Sequence, residues 1–297
     1  MDKNLKGKRV LITGVGIKPV GFVFTDKISG LPSHTAIQDD EKEFKANIGS
    51  ATAIECAKAG AIVHLVARTE SNLQIVKKWI EKNVPNARVE YSPVDLNNLE
   101  VLQKVITTIP NDLTLYWVQC VGIGAGTVKL KDDNPYLPIE ELSKDVVEAE
   151  LSVLRNTITL LQLLLPRFRK QSFTKVGIVS SMSGVRSYTH GSIHCSVKGA
   201  ISRFANAAMI ELAPENIYIT DIRPGGVDTG MYDSRVVRDT VARIAQTYGT
   251  DWTEKAGWAK LAPPSAVGES IVNALRSEAH ITSINLVGHG QWPHEGS

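Results

Sequence analysis

The sequence predicts an α/β domain in which a doubly wound parallel sheet is covered by helices on both faces. Short β-branched runs alternate with amphipathic helical segments along most of the chain. These runs are continuously apolar, as strands buried on both faces are. No repeat, low-complexity tract or linker divides the 297 residues, so we expect a single domain.

Near the N-terminus the chain has the pattern strand, glycine loop, helix, strand. Residues 9–13 are the first predicted strand, and residues 62–67 are the second. Between them, residues 50–59 are rich in alanine with apolar residues at helical spacing, and Gly60 stands where a helix would stop. This pattern is typical of a βαβ unit, in which the two strands are parallel.

The alternation continues beyond this unit. Strands separated by helix-length segments join one parallel sheet through crossover connections. We predict further helices at residues 71–82, 99–107, 142–168 and 196–212, and further strands at residues 88–93, 113–119, 176–180 and 217–222.

One segment departs from this rhythm. Residues 17–47, 31 residues in all, lie between the first glycines and the helix that should follow them. A βα loop usually has about 2 to 6 residues. Alternating apolar residues at 22–25 and 34–38, around Gly30 and Pro32, predict a hairpin. We therefore expect an insertion in the first βα loop.

The composition argues against several classes of partner. Thirty-three basic and 31 acidic residues give a formal charge of +2, without long runs of one sign. This balance indicates neither a nucleic-acid nor a membrane-surface partner. No run of about 18 apolar residues occurs. The three cysteines are far apart and form no Cys-x-x-Cys pair, which favours a reducing compartment. We expect a cytoplasmic protein.

Glycines at two separated places predict one phosphate-binding loop. Thr13, Gly14 and Gly16 follow the first strand, and Ile48 and Gly49 open the first helix. A pyrophosphate at a helix N-terminus needs backbone amides close to its oxygens, and a β-carbon would hold them away. With the insertion looped out, the two parts make a single loop.

Three further motifs follow in order along the chain: Ser-Ser-Met-Ser-Gly at residues 180–184, Ser-Val-Lys-Gly-Ala at 196–200, and Pro-Gly-Gly-Val-Asp-Thr at 224–229. Together with the split glycine loop, they resemble the motifs of the short-chain dehydrogenases/reductases. The resemblance implies a Rossmann-type fold. It also implies hydride transfer between a nicotinamide dinucleotide and a carbonyl or hydroxyl group of a small organic molecule.

The resemblance implies catalytic roles for Ser181 and Lys198, but the family's tyrosine position is His194, four residues before the lysine. Free tyrosine has a pKa of about 10 and free histidine about 6.5. A histidine near a cationic lysine can donate a proton at neutral pH only if it stays charged. Tyr188, ten residues before Lys198, is the alternative proton donor.

The resemblance also implies contacts to a dinucleotide at the carboxyl ends of several strands. A carboxylate after the third main strand would accept a hydrogen bond from the adenine amine, and the last motif would lie over the nicotinamide. The residues implied in this way are Asp95, Leu96, Gly122, Lys198, Pro224, Gly225, Val227 and Thr229.

The end of the second main strand predicts which dinucleotide is bound. A carboxylate there would bind the ribose hydroxyls of NAD, and a cation would pair with the extra phosphate of NADP. The chain has Arg68 at this point and no carboxylate until Glu70. NADP is therefore favoured over NAD, with Arg68 or a lysine of the insertion as the phosphate partner. We hypothesise that the insertion folds over the pyrophosphate and either tightens or blocks cofactor binding.

Two further features depart from the family or extend the site. The family's helical asparagine, which holds a water beside the lysine, is replaced by Val153, and Asn156 one turn later is the possible substitute. Residues 228–263, with Trp252 and Trp258, fall where the family has its substrate lid. We expect no metal site and, by resemblance, a homodimer or homotetramer.

Three functions compete at this point. The first is an NADP-dependent oxidoreductase that uses Ser181, His194 and Lys198. The second is a non-catalytic dinucleotide-binding sensor or scaffold that has lost the tyrosine. The third is a lyase, isomerase or dehydratase in which His194 acts as the base. The serine has no Gly-x-Ser-x-Gly elbow, which argues against a hydrolase.

Overall fold

Helices and strands alternate along the chain as the sequence predicts. The structure, a computed structural model, describes residues 4–25, 29–122, 136–247 and 261–289. The strands are β1 (Lys8–Thr13), β2 (Ile17–Pro19), β3 (Ala36–Asp39), β4 (Lys42–Ala46), β5 (Ile62–Ala67), β6 (Arg88–Pro93), β7 (Thr114–Gln119), β8 (Thr174–Val179), β9 (Ile217–Pro224) and β10 (Ser283–Leu286). The helices are α1 (Ile48–Lys58), α2 (Glu70–Asn83), α3 (Leu99–Thr108), α4 (Lys144–Phe168), α5 (Ser192–Leu212), α6 (Arg235–Thr247) and α7 (Pro264–Arg276).

Seven strands form one parallel sheet in the order β10-β9-β8-β7-β1-β5-β6. From the centre of the sheet, β1, β5 and β6 follow one another towards one edge, and β7, β8, β9 and β10 follow one another towards the other edge. The strand order therefore reverses between β1 and β7. One apolar cluster packs α1, α2 and α7 against one face of the sheet. A second packs α3, α4 and α5 against the other face. This is the predicted doubly wound, Rossmann-type fold, whose ligand site lies at the point of reversal.

Helix α5 begins a full turn before the predicted residue 196. Its first residue is Ser192, and Gly191 is the N-cap. The preceding residue, His190, has a φ of 61°, which ends any helical path through it. The earlier start places His194 inside the first helical turn. Neither α7 nor β10 is predicted from the sequence. Strand β10 adds an edge strand beside β9, and α7 packs in the first apolar cluster.

The insertion between β1 and α1 folds into its own small antiparallel sheet, in the order β2-β4-β3. At its base, the Asn47 amide donates to the Gly16 carbonyl oxygen over 3.0 Å, so the insertion leaves and rejoins the domain at one place. The predicted pairing of residues 22–25 with 34–38 is reduced to a bridge between Thr25 and Pro32. The main hairpin is β3–β4, because Asp40 adopts a left-handed φ of 52° at the turn.

Most of the insertion packs against the segment that follows β9. The Lys45 ammonium is fully buried and lies 2.7 Å from a carboxylate oxygen of Asp228 and 2.7 Å from one of Asp233. Phe24 belongs to a third apolar cluster with Tyr232 and other residues of this segment. Among the described residues of the insertion, Ile17 and Lys18 on its first strand and Asn47 at its end line the central cleft, so the hypothesis that it covers the pyrophosphate concerns these residues.

The predicted lid, residues 228–263, is described up to residue 247 and again from residue 261. Its helix α6 lies over the third apolar cluster, in which Val237 is fully buried. Trp252 and Trp258 lie outside the described residues.

Candidate active site

A cleft of about 380 Å³ opens at the carboxyl ends of β1, β5 and β7, where the strand order reverses. This is the position at which doubly wound sheets bind nucleotides. Many of the predicted cofactor residues line it. They are Gly14, Gly16, Ile48, Arg68, Asp95, Leu96, Gly122 and Thr229.

Two glycines allow the loops around the cleft to approach one another. Gly14 has a φ of 89°, and a β-carbon there would lie 2.7 Å from the carbonyl carbon of Cys120. A β-carbon on Gly49 would lie 2.6 Å from the Gly14 carbonyl oxygen. Gly49 therefore serves the packing of α1 against the loop, which brings the helix N-terminus to the cleft.

Side chains of α1 fix the split glycine loop. The Gly16 amide donates to Asn47 Oδ1 and to Ser50 Oγ, both at 3.1 Å. Asn47 Nδ2 donates to the Gly14 carbonyl oxygen over 2.8 Å. Asn47 is also the N-cap of α1, accepting from the Ser50 amide. The two parts of the predicted glycine loop are therefore in contact, although the insertion separates them in the sequence.

Several predicted cofactor residues do not line the cleft with their side chains. Thr13 is fully buried, and its hydroxyl accepts from the Trp117 indole over 3.2 Å. Val227 belongs to the apolar core. The Gly225 amide donates to the Leu286 carbonyl oxygen, and the Pro224 carbonyl oxygen accepts from Ser181 Oγ. These residues shape the walls behind the cleft.

At one end of the cleft, polar side chains form a network around Asp95. Asn97 donates to Asp95 Oδ1 through its amide and its side chain, at 2.9 and 3.0 Å. Asn156 Nδ2 donates to Asn97 Oδ1 over 3.1 Å. Asn156 is buried, and its Oδ1 has no partner among the described residues. The hydrogen bonds therefore connect Asn156 to the predicted adenine end of the cleft.

The serine motif packs directly on α5. Ser181 caps a short helical turn at residues 182–184, accepting from the Ser183 amide over 3.0 Å. A β-carbon on Gly184 would lie 2.7 Å from the Gly199 nitrogen and from the Lys198 carbonyl carbon. Glycine is therefore required where the loop meets the helix, and this contact sets the serine turn against α5 at Lys198 and Gly199.

Lys198 points into the interior one helical turn after His194. Burial lowers the pKa of its amino group, against which the charges of Glu150, Cys120 and Asp221 act. No hydrogen bond or ion pair holds its ammonium within the part of the chain that the structure describes. A buried cation without a partner is costly, and such groups are found where a ligand completes them.

His194 has a partner that the sequence reasoning missed. Its Nδ1 lies 2.8 Å from Glu150 Oε1 on α4, and the Glu150 side chain is 2% exposed. The other oxygen of this carboxylate is buried without a partner among the described residues. A signal was available: Glu150 lies on the apolar face of α4, with Val146 and Val153 at helical spacing.

Tyr188, the alternative donor, is partly buried and packs against the third apolar cluster. Its hydroxyl lies 3.4 Å from Ser183 Oγ, which lies 3.1 Å from Ser181 Oγ. Its ring packs edge-on against Tyr136, with centroids 5.7 Å apart. Burial raises the pKa of the Tyr188 phenol well above its usual value. The hydroxyl is thus two hydrogen bonds from Ser181 and is a poor acid.

The described residues hold no group of three or more histidine, cysteine, aspartate or glutamate side chains that could bind a metal ion. Within the same residues, no helix is long and apolar enough to cross a membrane.

These features define a Rossmann-type oxidoreductase: a parallel sheet, a glycine-lined cleft where its strand order reverses, and the serine and lysine behind the cleft. The model of the short chain dehydrogenase family matches residues 45–239, and the chain belongs to this family. The match starts inside the insertion, which separates β1 from the rest of the domain.

Relatives and solved structures agree with this assignment. An NADP-dependent 3-hydroxy acid dehydrogenase of Schizosaccharomyces pombe is 27% identical over 187 residues, covering 62% of this chain and 69% of that protein. An uncharacterised oxidoreductase of Staphylococcus saprophyticus is 25% identical, covering 80% and 89%.

Two solved structures have the same fold. L-sorbose reductase from Gluconobacter frateurii, complexed with NADPH and L-sorbose, superimposes with a TM-score of 0.67 at 20% identity, covering 97% of this chain and 98% of that one. An NADPH-bound short chain oxidoreductase from Pseudomonas aeruginosa, described as containing an atypical catalytic center, gives 0.70 at 17% identity, covering 99% and 98%.

Proposed function

We propose that the protein is an NADP(H)-dependent reductase or dehydrogenase that transfers hydride between the nicotinamide and a carbonyl or hydroxyl group of a small organic molecule. The observation that carries this proposal is the buried Lys198, whose ammonium has no hydrogen-bond or ion-pair partner among the described residues; it lies one turn from His194, beside the Ser181 turn. A core position for a lysine without a partner makes physical sense if a bound ligand supplies its hydrogen bonds.

The cleft fits a dinucleotide by its own chemistry. Gly14 and Gly16 present backbone to the N-terminus of α1, where phosphate oxygens bind. Asp95 and Oδ1 of Asn156, which has no partner among the described residues, offer acceptors to the adenine amine. Lys198 offers donors to the nicotinamide ribose. When bound, the nicotinamide gives or takes the hydride.

Ser181, His194 and Lys198 have separate roles in the proposed reaction. In the reductive direction, Ser181 Oγ donates a hydrogen bond to the carbonyl oxygen and orients it. Charged His194 gives that oxygen a proton as the carbon is reduced. In the oxidative direction, neutral His194 takes the proton from the hydroxyl group. Lys198 would hold the ribose of a bound dinucleotide.

The preference for NADP over NAD rests on Arg68. This exposed residue follows β5 and lines the cleft beside Thr69 and Asn72, and none of these side chains is acidic. An arginine at this position can form a bidentate pair with a 2′-phosphate. The S. pombe relative, described as NADP-dependent, supports the same choice.

We further propose that residues 228–263 act as a substrate lid and that the protein forms a homodimer or homotetramer. The second proposal is supported by exposed apolar residues on the two helices that pair between subunits in the family, Leu151 on α4 and Ile210 on α5. Sedimentation equilibrium of the purified protein tests it, and a monomer at micromolar concentration would contradict it.

The first test is a fluorescence titration of the purified protein with NADPH and, separately, NADH. Saturable binding with NADPH preferred is the expected result, followed by NADPH oxidation with a panel of small ketones and aldehydes. Binding without turnover on any carbonyl or alcohol would favour the sensor. The absence of binding to either dinucleotide would contradict the oxidoreductase proposal.

A further inference from the structure

Glu150 is a buried charged residue on α4, where an apolar side chain would serve the packing of the helix equally well. It lies on the buried face of α4, and its carboxylate reaches across to the first turn of α5, 44 residues later in the chain. A buried carboxylate is stable only if it is paired or hydrogen-bonded. The one partner that the described residues give it is Nδ1 of His194, at 2.8 Å.

We propose that Glu150 is a positioning residue that holds His194 in one tautomer and one orientation, so that the Glu150–His194 pair replaces the tyrosine as the proton donor and acceptor. This inference rests on the proposed function, because it concerns the proton that accompanies hydride transfer.

The geometry determines which nitrogen of His194 meets the substrate. An ionised carboxylate only accepts hydrogen bonds, so Nδ1 must carry a hydrogen when it faces Glu150. Neutral His194 therefore has a lone pair on Nε2, and charged His194 has a hydrogen there. Nε2 has no partner among the described residues, and the side chain is 20% exposed, so Nε2 is left for the substrate and for exchange of protons with solvent.

The charges around His194 explain why a carboxylate belongs here. From α5, the Lys198 ammonium is buried one turn away. From α4, Glu150 supplies the opposite charge, and it acts on Lys198 as well. Cys195 and Tyr188, which adjoin the same turn, are neutral donors. Glu150 and Lys198 carry opposite charges and interact, so the carboxylate offsets the positive charge of the lysine beside His194.

The resulting step balances. Hydride leaves the nicotinamide of NADPH, which is oxidised to NADP⁺, and forms a C–H bond with the carbonyl carbon. The C=O π bond breaks, and its electron pair takes the proton from Nε2 of charged His194. The products are an alcohol and a neutral imidazole that keeps its Nδ1–H on Glu150. Solvent then returns one proton to Nε2.

The kinetic test compares Glu150→Gln with Glu148→Gln. Glu148 lies on the same helix but is exposed, so it controls for the loss of one negative charge. We expect Glu150→Gln to lower kcat by at least about tenfold with little change in the Kd of NADPH, since general acid–base catalysis contributes about 10²–10⁴-fold. Glu150→Asp should recover part of the lost rate, and Glu148→Gln should match wild type.

The same substitution in a His194→Gln background separates positioning from a structural role. If Glu150 acts through His194, Glu150→Gln should cost less than about twofold once the histidine is gone. An equal loss in both backgrounds would overturn the proposal, as would a wild-type kcat in Glu150→Gln.

A spectroscopic test does not depend on turnover. Long-range ¹H–¹⁵N correlation spectra of the wild type, with His194 assigned by comparison with His194→Gln, report which ring nitrogen is protonated. We expect the neutral ring to carry its hydrogen on Nδ1, and this preference to weaken in Glu150→Gln. A ring with its hydrogen on Nε2 would overturn the inference. A Nδ1–H ring in a protein that reduces no carbonyl would instead contradict the proposed function.

Discussion

At the scale of single residues, the site contains two candidates for one role. His194 is the residue that we propose in place of the family's tyrosine, and it is paired with buried Glu150. Tyr188 is a tyrosine but lies two hydrogen bonds from Ser181, in an apolar setting that raises its pKa. A proton donor must both reach the carbonyl oxygen and give up its proton near neutral pH. Tyr188 meets neither criterion well.

Replacing His194 by Gln should therefore lower kcat by about 10²–10⁴-fold, the usual contribution of a general acid or base. The Kd of NADPH should hardly change, because the side chain is not needed to hold the cofactor. Tyr188→Phe is the matched comparison and should keep most of the activity. Steady-state kinetics with the best carbonyl substrate would decide. The opposite ranking of the two variants would assign the role to Tyr188.

Arg68→Gln should weaken NADPH binding by about tenfold to a hundredfold, because a hydrogen bond between charged groups contributes about 1.5–3 kcal/mol. NADH lacks the extra phosphate, so its Kd should stay the same. Arg88→Gln is a suitable control, since Arg88 is also exposed but starts β6 and does not line the cleft. Equal losses for the two dinucleotides would mean that Arg68 does not select between them.

At the scale of elements, the position of Ser181 depends on a backbone contact. The turn at residues 182–184 lies against α5 with no room for a side chain at Gly184. On the other side of the same contact, a β-carbon on Gly199 would lie 3.5 Å from the Gly184 carbonyl oxygen, an ordinary van der Waals distance. The two glycines therefore have different reasons to be glycine.

Alanine substitutions at Gly184 and Gly199 should have different effects on stability and activity. Gly184→Ala must push the serine turn away from α5, so we expect a loss of about 1–3 kcal/mol in the free energy of unfolding and a reduced kcat. Gly199→Ala lies within a helix and should be neutral or stabilising by up to about 1 kcal/mol. Urea unfolding of both variants gives the comparison. A Gly184→Ala protein as stable and active as wild type would show that the turn can move freely.

At the scale of the whole molecule, the insertion is tied to the domain through charge as well as apolar contact. Lys45 on β4 is fully buried between Asp228 and Asp233, which follow β9. Ser33 Oγ also donates to Asp228, over 2.8 Å. The insertion, the end of β9 and the approach to α6 thus share one buried polar cluster, and we expect them to unfold together.

Lys45→Met should leave two acidic side chains without their cation and destabilise the protein by about 3–5 kcal/mol, as the removal of one member of a buried ion pair does. Lys42→Met, on the exposed end of the same strand, should change stability by less than about 0.5 kcal/mol. Thermal denaturation followed by circular dichroism measures both. If Lys45→Met loosens only the insertion, hydrogen exchange will rise there while the melting temperature of the domain stays unchanged.

Most of the elements and the local parts of the site could be predicted from the sequence. Continuous apolar runs identify strands buried on both faces, and motif spacing places His194 four residues before Lys198, although the predicted helix begins only at residue 196. These features depend on neighbours within a few residues, whose geometry the backbone period fixes. The split glycine loop could be joined because its two parts flank a segment too long for a βα loop.

The contacts between segments far apart in the sequence could be seen only in the tertiary structure. Glu150 resembles any other acidic residue of a long helix until α4 packs on α5, and Lys45 resembles a solvated lysine until its strand packs against Asp228, 183 residues away. A charge is buried or exposed according to the packing of whole elements, and local spacing carries no information on that. The partner of His194 and the place of the insertion therefore follow from the fold.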